Sequence, residues 1–381
     1  MSASDKSRRE FIASLGAGAV VAAAAAERPA SAGSAPHGLD GRFLLRVDEL
    51  DLDFEHAAGA RRLSFGKHAG PIETWMSSCR GKLAELMAVS TPPRCAVREL
   101  RRTRLQDVDL RALVMQVDER LSIPAYLLEP ADPSQKRSAV IAVHGHGDVE
   151  ACIGVRDDYH HSFGLELAKA GHTVLCPTLR GFGVLGDVAA RSRDRCLDYW
   201  SWKRDHQFTL VTDGFQRGAT LIGQTVEDLL RWERWFCAER GLDAVDVAGI
   251  SYGGDLAITY PVFSDKVRRI FASGTLGSFD VVFSHCYNAP AHCIPGVLRW
   301  MDRSDIAGLN APRPIALHYG ELDRPGPQNS SASYNDTVEP SLEELRAIYQ
   351  AAGAGDAVRL LVTAGKGHEM DNQALQEFLA E

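Results

Sequence analysis

Val245-Asp246-Val247-Ala248-Gly249-Ile250-Ser251-Tyr252-Gly253-Gly254-Asp255-Leu256-Ala257-Ile258-Thr259-Tyr260 is the stretch on which the reading of this chain turns. Val245 to Ala248 reads as a short strand and Gly253 to Tyr260 as a helix, and Gly249-x-Ser251-x-Gly253 joins them. A strand-to-helix turn this sharp needs glycines where Cβ atoms would collide. It leaves Ser251 in a strained, exposed conformation at the helix N-terminus. A serine hydroxyl is a poor nucleophile until a base takes its proton, so a histidine held by a carboxylate is required elsewhere in the chain.

The rhythm around that turn is one of short apolar strands alternating with amphipathic helices. Ala139 to Val143 is a fully apolar strand, followed by a helix from Phe163 to Ala170 and a strand from His172 to Cys176. Gln216 to Arg240 reads as a long helix stopped by Gly241. Strands at Arg269 to Ser273, Pro314 to His318 and Val358 to Val362 follow, with helices at Ser341 to Ala351 and Asn372 to Ala380. Such alternation predicts an α/β fold with a mostly parallel central sheet flanked by helices. Ahead of it, Ala112 to Leu128 reads as a hairpin about Asp118-Glu119-Arg120, its second half an edge or bulged strand because of Pro124. Earlier still, apolar residues from Ile72 to Met87 recur at helical spacing between Pro71 and Thr91-Pro92-Pro93.

In a sheet carrying this turn, an acid and then a histidine follow the serine along the chain. His368 stands in Gly365-Lys366-Gly367-His368-Glu369 after the last strand, where it can swing over the sheet edge toward Ser251. His318 lies inside a strand and reads as buried structure, whereas His285 and His292 lie in an irregular stretch that can line a pocket. For the acid, Asp323 and Glu321 compete in Tyr319-Gly320-Glu321-Leu322-Asp323; Asp323 is favoured because it lies further into the loop, before Pro325. Acyl chemistry also needs oxyanion donors. The backbone N–H of Tyr252 is one; the second is expected from His144-Gly145-His146-Gly147, with the His146 N–H nominated and the His144 side chain read as packing.

Two stretches leave strand ends as insertions, Val184 to Phe215 with Trp200, Trp202 and His206, and Phe279 to Ala311 with His285, His292 and Trp300. They are the expected walls of a substrate pocket, with Trp200, Trp202, Trp300 and His285 as its lining. Ordinary packing of a cap accounts for the tryptophans equally well.

Taken together, HGHG at 144–147, Pro177 to Gly183, GISYGG at 249–254, Asp305-Ile306-Ala307-Gly308 with Ala311-Pro312-Arg313-Pro314, GELD at 320–323 and GKGH at 365–368 resemble the α/β-hydrolase superfamily. Within it the chain looks most like the dienelactone hydrolase and acetyl-xylan-esterase-like bacterial branch. The resemblance implies an α/β-hydrolase fold with an N-terminal helical extension and cap-like insertions. It also implies hydrolysis of carboxylic esters by a Ser251–Asp323–His368 triad through an acyl-enzyme, without a cofactor or metal. A serine stands where dienelactone hydrolases proper use cysteine, which counts against lactone specificity.

Residues 1–32 differ in kind. Ser7-Arg8-Arg9-Glu10-Phe11-Ile12 precedes an apolar run from Phe11 to Ala26, and Ala30-Ser31-Ala32 supplies a small-x-small cleavage pattern. This resembles a twin-arginine signal, with Ala13 where the usual lysine stands. At 16 residues, mostly Ala and Gly, the run is short for a membrane span. The expected layout is a signal peptide at 1–32, a helical extension at 33–110 and a catalytic domain at 111–381, exported to the periplasm or beyond.

Composition agrees with a soluble enzyme. In 381 residues, 45% hydrophobic and 24% charged side chains exclude disorder, collagen and a multi-span membrane protein. The net charge of −8 argues against a nucleic-acid partner. The expected partner is a small-molecule ester, an acylated carbohydrate or an aromatic ester, with no stable membrane insertion and the oligomeric state left open. Eight cysteines are too sparse for a disulfide scaffold; Cys286 with Cys293 is the one pair to test.

Three rivals stand beside this reading. His144-x-His146-x-Asp148 matches most of the zinc signature of metallo-β-lactamase-like hydrolases, with Val149 in place of its last histidine. A peptidase of the prolyl-oligopeptidase type shares the triad, but roughly 80 residues before the hairpin are too few for its propeller. A catalytically dead binder on the same fold is the third.

Overall fold

The computed structural model describes residues 61–132, 137–186, 206–279, 290–323 and 337–381, all within the unit Asp53–Glu381. The signal-like segment, Trp200, Trp202, His285 and Cys286 lie outside the described residues.

Nine strands form one sheet among them: β1 (Ala96–Leu105), β2 (Val108–Gln116), β3 (Ser122–Pro130), β4 (Ala139–Val143), β5 (Thr173–Pro177), β6 (Val245–Ile250), β7 (Val267–Ser273), β8 (Ile315–Gly320) and β9 (Val358–Thr363). Their spatial order is β1-β2-β3-β5-β4-β6-β7-β8-β9. The pairs from β1 to β5 are antiparallel and those from β5 through β9 parallel. This is the expected mostly parallel sheet, with an antiparallel wing at one side.

The expected hairpin is β2–β3, and Asp118 makes its turn by accepting from the N–H groups of Arg120 (2.7 Å) and Leu121 (2.8 Å). Two expectations change. β3 is an interior strand, paired on its other side with β5 from Ala125 onward, so Pro124 sits just before that ladder; its carbonyl accepts from Thr178 N–H at 2.9 Å. β1 lies ahead of the 110/111 boundary and extends the sheet outward. Its sequence hid it: the strand is mostly exposed and carries Arg98, Arg101, Arg102 and Arg104, charge that suits an edge and masks alternation.

Strands β4, β5, β6 and β8 are buried along their whole length, as their near-continuous apolar sequences require, while β9 at the sheet edge is partly exposed. Along β4, Ala139, Ile141 and Val143 join one core cluster, while Val140 and Ala142 join the other on the opposite face. Helices α1 (Ile72–Met87), α2 (Val149–Cys152), α3 (Phe163–Lys169), α4 (His206–Gln216), α5 (Leu221–Arg240), α6 (Tyr252–Thr259), α7 (Arg303–Gly308), α8 (Val338–Ala351) and α9 (Asn372–Ala380) follow in chain order. α5 begins five residues later than its periodicity suggests. Gly218, at φ 72°, closes the preceding turn, and Thr220 caps α5 by accepting from Gly223 N–H at 3.0 Å.

Candidate active site

Ser251 caps α6 at φ 58° and ψ −124°, the strained turn its flanking glycines foretell. A Cβ on Gly253 would fall 2.5 Å from the His144 carbonyl oxygen, so the turn packs directly onto the end of β4. The Ser251 N–H donates to Ser273 O at 2.8 Å and ties the turn to the end of β7. The side chain is more enclosed than expected, at 9% exposure.

His368 follows β9, and its Nδ1 lies 2.8 Å from Asp323 Oδ2. Asp323 follows β8 and is buried. Glu321, its competitor, instead accepts from Gly365 N–H at 2.9 Å on the exposed side and braces the histidine loop. Gly274, directly after β7, brings this pair to the serine: a Cβ there would sit 2.6 Å from His368 Cε1 and 3.5 Å from Asp323 Oδ2. Ser251, Asp323 and His368 thus all follow the C-terminal ends of strands in one sheet, those of β6, β8 and β9. Among the described residues, His368 Nε2 has no hydrogen-bond partner. His318 is structural, its ring nitrogens 2.8 Å from Ser273 Oγ and 3.0 Å from Thr363 Oγ1, and burial lowers its pKa to about 4.

The loop after β4 is locked by side chains. His144 Nδ1 meets Gly145 O at 2.8 Å, and its Nε2 accepts from Leu179 N–H at 3.2 Å; burial keeps it neutral, with a pKa lowered to about 3. The Gly145 N–H donates to His160 Nε2 at 2.8 Å, and Asp158 fixes that ring through Nδ1 at 2.6 Å. Tyr159 Oη donates to His146 O at 2.7 Å. A trans peptide points its C=O and N–H in opposite directions. Holding Gly145 C=O against His144 therefore turns the His146 N–H away from that ring, with no acceptor among the described residues. The same backbone comes close to the nucleophile: a Cβ on Gly145 would lie 3.0 Å from Ser251 Cβ.

These contacts occupy the residues that the zinc reading would need. Both His144 nitrogens are engaged by backbone, Asp148 caps α2 by accepting from Glu150 N–H at 3.2 Å, and the His146 ring stacks on His292. Among the described residues, no three His, Cys, Asp or Glu side chains are grouped to hold a metal ion.

Asp158-Tyr159-His160-His161 was missed as a functional stretch because it reads as a polar loop; its density of titratable groups between a strand and its helix was the available signal. It clamps the β4 loop to the histidine loop. Tyr159 O accepts from Met370 N–H at 2.9 Å, His161 pairs with Glu369, and Asn372 Nδ2 donates to His161 O at 2.8 Å.

Beneath Ser251, one helical turn along α6, buried Asp255 pairs with His292 and with Arg303 (2.6 Å), and Thr275 also donates to it. Burial alone would raise its pKa, but Arg303 and then His292 outweigh that and hold it at about 2. This network anchors the second insertion under the site. His292 stacks on His146 at 5.5 Å, and Tyr252 and Phe182 complete an aromatic cluster around them. The Trp300 ring packs under Lys82 (4.3 Å) and Arg62 (5.2 Å), at a seam with α1. Cys293 is a free thiol whose pKa burial raises to about 11.

The mostly parallel sheet with its flanking helices has the form of an α/β-hydrolase fold. No family model matches the chain. It is similar, at 24% identity over 285 residues covering 72% of this chain and 87% of the other, to YtaP of Bacillus subtilis (strain 168), a hydrolase by name only. Among solved structures it is similar to a Bacteroides fragilis NCTC 9343 protein named as an acetyl xylan esterase (TM-score 0.64, 17% identity, 84% of each chain). A glucuronoyl esterase from Solibacter usitatus also matches (TM-score 0.58, 12% identity, 83% of this chain and 94% of that one). At these identities the likeness is one of fold.

Proposed function

We propose that this protein is a serine hydrolase that cleaves small carboxylic esters through an acyl-enzyme on Ser251. The observation that carries the reading is the convergence of a strained Ser251 with a buried Asp323–His368 pair at one end of the sheet. In this reading Ser251 Oγ attacks the ester carbonyl as His368 Nε2 takes its proton, while Asp323 holds the Nδ1–H tautomer. The tetrahedral oxyanion faces the N–H groups of Tyr252 and His146. Collapse of the intermediate expels the alcohol, which takes the proton from His368; water then repeats the sequence on the acyl-enzyme.

Structural neighbours named as acetyl xylan and glucuronoyl esterases make acylated carbohydrates the first substrates to test, with aromatic esters beside them. No helix among the described residues is long and apolar enough to cross a membrane. Export rests on the Arg8-Arg9 signal, and replacing both arginines by lysine is expected to leave the precursor unexported.

Ser251→Ala is the deciding variant. It should lose hydrolysis of p-nitrophenyl acetate and labelling by a fluorophosphonate while staying folded. Full hydrolysis by that variant refutes the mechanism. A panel of acyl chain lengths, acetylated sugars and aromatic esters then assigns the substrate.

A further inference from the structure

We propose that Tyr159 is a catalytic residue whose phenol donates to the oxyanion in the tetrahedral intermediate. The inference rests on the serine-hydrolase reading above and adds a side-chain donor to the two backbone donors.

The position of the phenol carries it. Gly145 stands between the two residues, and its missing Cβ is where they approach each other: that point lies 3.0 Å from Ser251 Cβ and closer still to Tyr159 Oη. Any other residue at 145 would fill the space the phenol occupies. Tyr159 Oη gives its single proton to His146 O at 2.7 Å, on the residue whose N–H is the second backbone donor. On the other side its ring lies 5.6 Å from that of His368. His368 Nε2, the atom that must receive the serine proton, has no partner among the described residues. The phenol thus borders both Ser251 and His368.

Substrate gives the phenol a stronger acceptor than His146 O. As the Ser251 Oγ–C bond forms, the serine proton passes to His368 Nε2 and the carbonyl π pair moves onto oxygen. That oxyanion has no proton to give, so a phenol beside it is favourable only as donor. Hydrogen bonds to charged groups are stronger than those between neutral partners, so the Oη proton moves from the His146 carbonyl to the oxyanion. Burial raises the phenol pKa well above its ordinary value, which keeps that proton in place. Tyr159 stays neutral throughout, and when the intermediate collapses its hydrogen bond returns to His146 O.

The test uses Tyr159→Phe in the full chain. Removal of one oxyanion donor costs about 10²–10³ in kcat. We expect a fall of at least about 100-fold in kcat on p-nitrophenyl acetate, with KM changed less than about threefold. Phenylboronic acid, which forms a tetrahedral adduct with an active serine, should bind more weakly by a comparable factor. Activity within about threefold of the parent, or a loss of kcat with unchanged boronate affinity, overturns the proposal. The second outcome would make Tyr159 a brace for the loops only. Ser251→Ala separates this from the underlying reading: if that variant is inactive while Tyr159→Phe is active, only the role of Tyr159 fails.

Discussion

His368 Nδ1 sits 2.8 Å from Asp323 Oδ2, although 45 residues separate them in the chain. The loop after β8 and the loop after β9 are stitched together beside this contact, by Leu322 N–H to Lys366 O at 2.7 Å and by Glu321 N–H to Thr363 O at 2.9 Å. The pair is thus presented by rigid backbone. Asp323→Asn is expected to preserve this geometry but favour the wrong imidazole tautomer, lowering kcat by about 10⁴-fold. Glu321→Gln should cost less than about tenfold, since its carboxylate only braces Gly365. Equal losses in the two variants would reassign the acid.

The φ of 58° at Ser251 is a conformation glycine adopts without strain. Ser251→Gly and Ser251→Ala should both be inactive, yet the glycine variant should melt higher. Relief of a strained φ is worth about 1–3 kcal/mol, against about 0.4–1 kcal/mol for the extra freedom of glycine in the unfolded chain. Thermal melts of the two variants decide the sign.

Asp255 compensates buried Arg303 beneath the nucleophile. Asp255→Asn leaves that guanidinium without its anion, and the expected destabilisation is about 3–5 kcal/mol, read by urea unfolding. The parent should lose the same contribution at low pH. The folded pKa of Asp255 is depressed to about 2, so the stabilisation is present above the unfolded carboxylate pKa and fades as pH falls toward 2.

Glu233 behaves in the opposite way. Burial raises its pKa to about 7, despite the hydrogen bond from Ser264 Oγ at 2.6 Å. Below the unfolded value both states are protonated and folding costs nothing extra. Between that value and about 7 the unfolded chain gives up a proton that the folded one keeps, so stability falls as pH rises through this window and then levels. Glu233→Gln should remove this slope, and melting temperatures of parent and variant from pH 5 to 8 should diverge progressively. Parallel curves would contradict the burial of an ionisable carboxyl there.

The α/β class, the turn at Ser251 and the strand–helix alternation were legible in the sequence because they depend on local chemistry: glycine sterics, two-sided apolar strands and helical periodicity. The same chain order favoured Asp323 over Glu321 for the acid. Tertiary structure shows where the two side chains go, Asp323 to His368 and Glu321 to Gly365. Tertiary structure likewise set Trp300 against Lys82 and Arg62 and made β1 a sheet strand despite its charge. The Asp158–His161 clamp, finally, consists of side chains and carbonyls whose partners lie at Gly145, His146 and Glu369 to Asn372. No periodicity records such contacts, because what joins them is the closure of loops at one end of the sheet.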